Sequence, residues 1–194
     1  MYNKYFAVRN VYYQRTICAC LLSYSGFLRT SELLNLRRSD IQFFTSHICV
    51  FIEKSKTDIY RDGSQLVIAR TDSQLCPVKK PRILFRVVGI LSDSDDFLFR
   101  NLSADKGSHL FRSVNKPLSY SRMRELFIEV FSPFVKDIKS YGLHSLRSGG
   151  ASAAASFGVA DRLFKRHGRW KSDTSKDGNV KDSLESRLSV SKNL

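Results

Sequence analysis

The sequence predicts one mainly α-helical domain that carries a small three-stranded antiparallel β-sheet. Its 194 residues suit a single compact domain. The hydrophobic fraction is 42%, with 14 Phe and 8 Tyr, which is enough to fill a core. Apolar residues recur at helical spacing on both sides of residues 41–69, which contain short β-rich runs. The sequence shows no repeat, low-complexity tract or linker, so one domain over residues 1–194 is expected.

The first half of the chain predicts two helices followed by the sheet. Residues 11–24 have apolar side chains at helical spacing, and Gly26 is a suitable stop signal. Thr30 and Ser31 can cap a second short helix through residue 38. An Asp-Gly pair precedes the last strand and favours an antiparallel hairpin. The strands are expected at residues 41–44, 48–53 and 65–69.

The second half predicts further helices around one loop. Pro77 is suited to open a helix that runs to about residue 91. Residues 92–108 are rich in Asp, Ser and Gly and predict a surface loop. Ser119 or Ser121 begins the next helix, which Pro133 interrupts. The remaining helices are expected at residues 144–157, 160–166 and 180–188.

The chain is strongly basic. It has 32 Lys and Arg residues against 18 acidic ones, a formal charge of +14 and a pI near 9.9. This excess predicts a polyanionic partner, either nucleic acid or an acidic membrane surface. Nucleic acid is favoured, because the charge is spread along the chain and is not concentrated in one amphipathic helix. The longest apolar stretch is too short to span a bilayer, so no membrane partner is expected.

The cysteines predict a reducing compartment. Cys18, Cys20, Cys49 and Cys76 form no Cys-x-x-Cys pair, and no His lies at zinc-finger spacing. Cys18 and Cys20 are expected to be small core residues of the first helix. The N-terminus does not resemble a secretion signal. We therefore expect an intracellular protein, nuclear in a eukaryote and cytoplasmic otherwise.

Two arginines, a histidine and a tryptophan have the chemistry to hold a phosphodiester. Arg29 precedes a predicted helix, and Arg147 lies one turn beyond His144 on a shared helical face. Forked guanidinium donors suit the negative charge that gathers on phosphate oxygens under attack. His144 can donate or exchange a proton near neutrality, and Trp170 can donate through its indole N–H. Singly, each has an ordinary explanation as a solvated charge or a core aromatic residue, so only their joint order favours a site.

Four sequence boxes resemble those of the tyrosine recombinase (phage integrase) family, over about residues 10–190. The first is Gly-Phe-Leu-Arg-Thr-Ser-Glu-Leu at 26–33, with an acidic residue three positions after its arginine. Lys56, in Ser-Lys-Thr-Asp, falls in the predicted sheet, where this family keeps a hairpin lysine. Residues 143–151 resemble the second-arginine box, and Gly-Arg-Trp at 168–170 resembles the branch with Trp in the third box. The third box and the tail resemble recombinases of eukaryotic mobile elements.

The resemblance implies the fold and the site of a DNA strand-cleaving and rejoining enzyme. The side chains implied to grip the scissile phosphate of double-stranded DNA are Arg29, His144, Arg147 and Trp170. Lys56 would protonate the departing 5′ oxygen, and Glu32 and His167 would support the site. A tyrosine would attack to form a 3′-phosphotyrosine bond, which divides one difficult step into two. No metal or nucleotide cofactor is implied.

The resemblance also implies how the domain is used. Members of this family carry a separate N-terminal core-binding domain, which we expect to be absent from this chain. Recombination needs a tetramer on DNA, and the last helix of one protomer often packs on its neighbour. The predicted helix at residues 180–188 is the candidate for that contact, and docking on its own core is an alternative.

The position of the family's nucleophile is occupied by Asn179. A carboxamide has no ionisable oxygen, so it cannot replace a phenol as the attacking group. No tyrosine follows Tyr141, and nothing in the sequence marks an activated base beside Ser172, Ser175 or Ser183. The sequence therefore predicts a chain that binds DNA without cleaving it.

Three interpretations stay open from the sequence. The chain is a recombinase catalytic domain made inactive by loss of its nucleophile, or a non-enzymatic DNA-binding module derived from a recombinase. In the third interpretation the boxes are coincidental and belong to a basic RNA- or chromatin-associated protein. The third predicts that Arg29 and Arg147 lie far apart in space.

Overall fold

The computed structural model describes residues 10–53, 63–103 and 110–182, with single positions at 184, 188 and 191. Helix α1 (Val11–Ser25) lies at the centre of the fold and packs against four other helices. It begins where the Asn10 side chain accepts a hydrogen bond from the Tyr12 N–H. It ends at Gly26, so the predicted first helix is confirmed.

The sheet is three-stranded and antiparallel, as the sequence predicts. Its strands are β1 (Ile41–Phe43), β2 (His47–Ile52) and β3 (Ser64–Ala69), in the order β1-β2-β3. Ile48 pairs with Ile68 and Val50 with Leu66, and all four are buried because alternate residues of a strand share one face. The tip of the β2–β3 hairpin, residues 54–62, lies outside the described residues.

Six more helices surround this centre in the described ranges. They are α2 (Thr30–Leu34), α3 (Lys79–Val87), α4 (Tyr120–Phe131), α5 (Leu143–Ser156), α6 (Asp161–Gly168) and α7 (Asp173–Asp177). Helix α4 begins at Ser119, whose hydroxyl accepts from the Arg122 N–H, as predicted. Gly158, with a φ of +70°, follows the end of α5. All of these helices except α7 correspond to helices predicted from the sequence.

Two apolar clusters position the candidate site. The larger one joins α1, the sheet, α3 and α4, and it contains Cys18 and Cys20 as buried core residues. The smaller one lies where α5, α6 and the turn after α1 meet. Its buried members are Phe27, Ala151, Phe164 and Trp170. None of the helices within the described ranges is long and apolar enough to cross a membrane.

The predicted surface loop at residues 92–108 is partly wrong. Leu98 and Phe99 are completely buried, and residues 104–109 lie outside the described part. Backbone hydrogen bonds hold the segment: the Leu98 N–H donates to Leu36 O, and the Leu118 N–H donates to Phe99 O. The Asp and Ser residues around this apolar pair concealed its burial.

Three predicted helices differ in extent. The second ends at Leu34, because Asp40 accepts from the Arg37 N–H at 2.7 Å and begins a separate 3-10 turn (Arg38–Asp40). The helix predicted to run to residue 91 ends at Val87. Residues 180–182 are not helical, although Leu184 and Leu188 are, and the rest of the last predicted helix lies outside the described residues.

Candidate functional site

Arg29 and Glu32 form the first part of the site at the start of α2. Arg29, not Thr30 or Ser31, is the N-cap residue, and its N–H donates to Glu32 Oε2 at 2.8 Å. The Arg29 Nη1 donates to Glu32 Oε1 at 2.7 Å. The local Arg-x-x-Glu spacing therefore places a buried carboxylate directly beneath the first arginine.

Arg147, from α5, joins the same carboxylate from the opposite side of the cluster. Its side chain is only 2% exposed, and its Nη1 lies 4.0 Å from Glu32 Oε2. Its hydrogen bonds go to neutral backbone acceptors, from Nη1 to Phe27 O and from Nη2 to Gly168 O at 2.8 Å. Burial lowers the pKa of Arg147 to about 10, with nearby arginines adding to the effect, so the group stays charged at neutral pH.

The positions of Arg29 and Arg147 at Glu32 test the interpretation that the sequence boxes are coincidental. The two arginines are 118 positions apart in the chain, yet both approach one carboxylate. A coincidental set of boxes predicts that they lie far apart. That prediction of the third interpretation is therefore wrong.

Arg169 is a third arginine of the cluster, and the sequence analysis did not select it. Its Nη2 donates to Glu32 Oε2 at 2.7 Å and to Phe27 O at 3.0 Å. Its Nη1 donates to His167 O at 2.9 Å and to Gly26 O at 3.2 Å. The available signal was its place between Gly168 and Trp170 in a box already chosen for the tryptophan.

The electrostatics of the cluster favour an anion. Burial by itself would raise the pKa of Glu32, but the charges of Arg169 and Arg29 outweigh it and hold that pKa below its ordinary value. Glu32 is therefore ionised at neutral pH. Three guanidinium groups and one carboxylate give this group of side chains, hereafter the arginine pocket, a net charge of +2.

Trp170 forms one wall of the arginine pocket. The Arg147 guanidinium carbon lies 5.0 Å from the centre of its ring, which is a cation–π contact. The ring also contacts Phe27 and Phe164, at centroid distances of 5.9 and 5.1 Å. Trp170 Nε1 is buried and has no hydrogen-bond partner among the residues that the structure describes. An indole donor of this kind is satisfied when a ligand supplies an acceptor.

The two predicted histidines lie in different surroundings. His144 is exposed in the first turn of α5, one turn before Arg147. His167 is half-buried, and its Nε2 donates to Ser25 O at 2.8 Å, which ties α6 to the end of α1. Burial lowers the pKa of His167, so this ring is neutral at pH 7. His167 is thus hydrogen-bonded to the last residue of α1, four positions before Arg29.

Asn179 directly precedes two residues that contact the core around Trp170 and helix α5. The neighbouring Val180 packs against the Phe27–Trp170 cluster, and the Lys181 N–H donates to Ser152 Oγ on α5 at 2.9 Å. The Asn179 Nδ2 donates to Ser175 O at 2.7 Å, whereas its Oδ1 is buried without a partner in the described ranges. Lys56, the predicted general acid, lies outside the described residues.

An apolar groove of about 770 Å³ is lined in part by Phe27. Its walls come from α1, the end of β3, α5 and α6. Side chains that line it include Leu21, Tyr24, Leu146 and Leu163. Elsewhere in the described part of the chain, no cluster of three His, Cys, Asp or Glu side chains could hold a metal ion.

Solved structures of DNA recombinases resemble this fold. A XerH site-specific recombinase bound to a palindromic difH substrate matches 94% of this chain with a TM-score of 0.64 and 14% identity. The Tn1549 transposon integrase in complex with transposon right-end DNA matches 92% with a TM-score of 0.60 and 13% identity. A lambda integrase dimer bound to a COC′ core site matches 93% with a TM-score of 0.56 and 18% identity. No family model and no curated protein sequence matches the chain.

These likenesses establish the fold. The described architecture, helices around one three-stranded antiparallel sheet, is that of the catalytic domain of tyrosine recombinases. The predicted fold class is confirmed. The chain spans 45% of the XerH recombinase, 58% of the Tn1549 integrase and 47% of the lambda integrase that it matches.

Proposed function

We propose that this chain, which has the fold of a tyrosine recombinase catalytic domain, binds double-stranded DNA through the arginine pocket and does not cleave it. The observation that carries the proposal is the convergence of Arg29, Arg147 and Arg169 on Glu32. Trp170, which contacts Arg147, has a buried Nε1 without a partner among the described residues. The XerH, Tn1549 and lambda structures described above hold DNA and are recombinases or integrases, which supports DNA as the partner.

The pocket suits one phosphodiester of a duplex. Arg29 and Arg147 would donate to its non-bridging oxygens, and Trp170 would donate through Nε1. His144, exposed at the start of α5, would add a donor from the rim. In a relative that cleaves DNA, the lysine at the position of Lys56 would deliver the proton that the departing 5′ oxygen needs. The arrangement would stabilise negative charge on a phosphate even where no bond is broken.

Position 179 explains the proposed lack of cleavage. The next residue, Val180, packs against the apolar cluster that contains Trp170, and the Lys181 N–H donates to Ser152 Oγ on α5, which supports a place for position 179 near the arginine pocket. A phenol there could attack a phosphorus atom, but the Asn179 carboxamide has no oxygen that can ionise. The donors are therefore present without the group that would form the covalent bond.

Restoring a tyrosine tests this proposal. Asn179→Tyr is incubated with a pool of nicked duplexes of randomised sequence, so that no target sequence has to be known, and products that resist detergent are isolated. We expect a covalent protein–DNA adduct from Asn179→Tyr and none from the wild type. Asn179→Phe is the matched control, because it adds the same ring without a hydroxyl. An adduct from the wild type or from the Phe variant contradicts the proposed inactivity.

A non-enzymatic DNA-binding module is the second candidate function. It is favoured by the fit of Asn179 itself, whose amide makes a 2.7 Å hydrogen bond to Ser175 O within its own turn. On this alternative, Asn179→Tyr binds DNA as the wild type does and gives no adduct. Adduct formation by Asn179→Tyr would exclude it.

We also propose that copies of this chain assemble on DNA through the C-terminal segment. Leu184 and Leu188 are helical, lie four positions apart on one face, and are 71% and 43% exposed. The apolar groove beside Phe27 offers a complementary surface on a neighbouring copy. In sedimentation with duplex DNA, Leu184→Lys combined with Leu188→Lys should stay at one protein per duplex, whereas Ser191→Lys should assemble as the wild type. Equal assembly of both variants would contradict the contact.

A further inference from the structure

We propose that Arg169 is a positioning residue that keeps Glu32 away from Arg147, so that the charge of Arg147 is available to a phosphate. The inference rests on the proposed binding of a DNA phosphate by Arg147. Each terminal nitrogen of Arg169 donates to two acceptors, Nη1 to Gly26 O and His167 O and Nη2 to Phe27 O and Glu32. Each terminal nitrogen of Arg147 donates to one acceptor among the described residues, so Arg147 keeps N–H groups for a phosphate and Arg169 acts through its contacts.

The hydrogen bonds of Glu32 show how its two oxygens are divided. Oε1 accepts from the Arg29 side chain at 2.7 Å. Oε2 accepts from the Arg29 N–H at 2.8 Å and from Arg169 Nη2 at 2.7 Å. Arg147 Nη1 stays 4.0 Å from Oε2, which is too long for a hydrogen bond. Arg169 thus holds the oxygen that Arg147 would otherwise take.

The backbone supports the same inference. Phe27 and Arg169 have φ angles of 46° and 56°, and they are the two non-glycine residues with positive φ in the described ranges. The two strained residues are joined directly, because Arg169 Nη2 donates to Phe27 O at 3.0 Å. Strain of this kind destabilises the backbone and persists where the surroundings enforce it, often at functional sites. Here it turns the Phe27 carbonyl and the Arg169 side chain toward Glu32 and Arg147.

Loss of Arg169 should change the partner of Glu32. A buried carboxylate that loses its arginine seeks the nearest cation, because an unpaired buried charge is costly. Arg147 is that cation, and a small rotation of Glu32 would close the 4.0 Å gap. The shorter, hydrogen-bonded pair would offset more of the charge of Arg147 and weaken its hold on phosphate.

Variants that remove one or two of these charges test the inference. The dissociation constant for a duplex DNA fragment is measured for each variant at a fixed salt concentration. Arg169→Gln should weaken binding by about tenfold, the scale of one charge-assisted hydrogen bond. Adding Glu32→Gln to Arg169→Gln removes the competing carboxylate and should restore most of that loss. Arg162→Gln, an exposed charge on α6, the helix that ends just before Arg169, is the matched control and should have little effect. A merely structural role predicts that the double variant binds as weakly as Arg169→Gln or more weakly, which would overturn the inference.

Arg147→Gln separates failure of the inference from failure of the proposed function. If Arg147→Gln binds duplex DNA as tightly as the wild type, the proposed function fails. If Arg147→Gln loses binding but Arg169→Gln does not, the inference alone fails.

Folding is checked by urea unfolding followed through the single Trp170. Where Arg169→Gln does not fold, Arg169→Lys replaces it: binding like the wild type supports the inference, and a loss equal to that of Arg147→Gln overturns it.

Discussion

Two buried arginines, Arg15 and Arg147, show what distinguishes a candidate site from a structural interaction. Their exposures are 1% and 2%, and burial lowers the pKa of each to about 10. Each donates to a backbone carbonyl far away in the chain, Arg15 to Arg100 O and Arg147 to Phe27 O. By burial and pKa alone the two are equivalent.

The difference lies in the charges that surround them. Arg147 shares Glu32 with two other arginines, so positive charge accumulates where a ligand could balance it. Arg15 lies over the ring of Tyr12 and has no carboxylate within ion-pair distance among the described residues. An unpaired donor is not decisive either, since Arg15 Nε is buried without a partner in the described ranges. Convergence of like charges distinguishes the candidate site, whereas burial of one charge does not.

The largest expected effect is on folding, at Arg15. Arg15→Ala should lower the free energy of unfolding by about 3 kcal/mol, because it leaves a cavity and removes the donor to Arg100 O. Arg15→Met keeps most of the volume without the buried charge and should cost less than half as much. Urea unfolding measures both. If the folded Arg15→Met variant also binds DNA more weakly than the wild type, the contrast between a structural Arg15 and a DNA-binding Arg147 is contradicted.

A smaller effect is expected where α5 approaches α1, the packing that sets the position of Arg147. A Cβ on Gly150 would stand 2.1 Å from the Tyr24 carbonyl oxygen, so Gly150→Ala must displace backbone. We expect a loss of about 2 kcal/mol in the free energy of unfolding. The adjacent Gly149 has only ordinary contacts, and Gly149→Ala should be neutral or stabilising by less than about 1 kcal/mol. Equal losses in both variants would show that α5 packs differently.

The smallest effect is the pH dependence of the unfolding free energy that His167 causes. The pKa of His167 lies below its ordinary value of 6.5, so below pH 6.5 the unfolded chain takes up a proton that the folded chain does not. Its contribution to stability is complete above pH 6.5 and falls as the pH decreases. Between pH 7.5 and 5.5 we expect a loss below about 1.4 kcal/mol, the value of one pKa unit.

His167→Gln is the control for that pH dependence. Its amide can still donate to Ser25 O but does not titrate. The unfolding free energy of this variant should change less between the same two pH values. An equal change in both proteins would place the titrating group elsewhere.

The sequence predicted the parts of this molecule that local pattern determines. The α1 helix, the three strands and the helix carrying His144 and Arg147 follow from periodicity and from stop signals such as Gly26. The convergence of Arg29 with Arg147 could be expected only from the joint order of the boxes, because nothing local links residues 118 positions apart.

What the sequence did not predict depends on tertiary contacts. Arg169 takes its place through a left-handed backbone and through acceptors from the turn after α1, neither of which has a local signal. Leu98 and Phe99 are buried although polar residues surround them in the chain. Helix α7 is short and polar, and ion pairs to α6 hold it, such as Lys176 with Asp161 at 2.6 Å.

The most direct test of the account is the salt dependence of DNA binding by Arg147→Gln, with Arg162→Gln as the matched loss of one surface charge. We expect the dissociation constant of Arg147→Gln to rise by at least about tenfold and the slope of log K against log salt to fall by about one, because one phosphate contact is gone. If Arg147→Gln binds duplex DNA with the affinity and salt slope of Arg162→Gln, the arginine pocket does not hold a DNA phosphate.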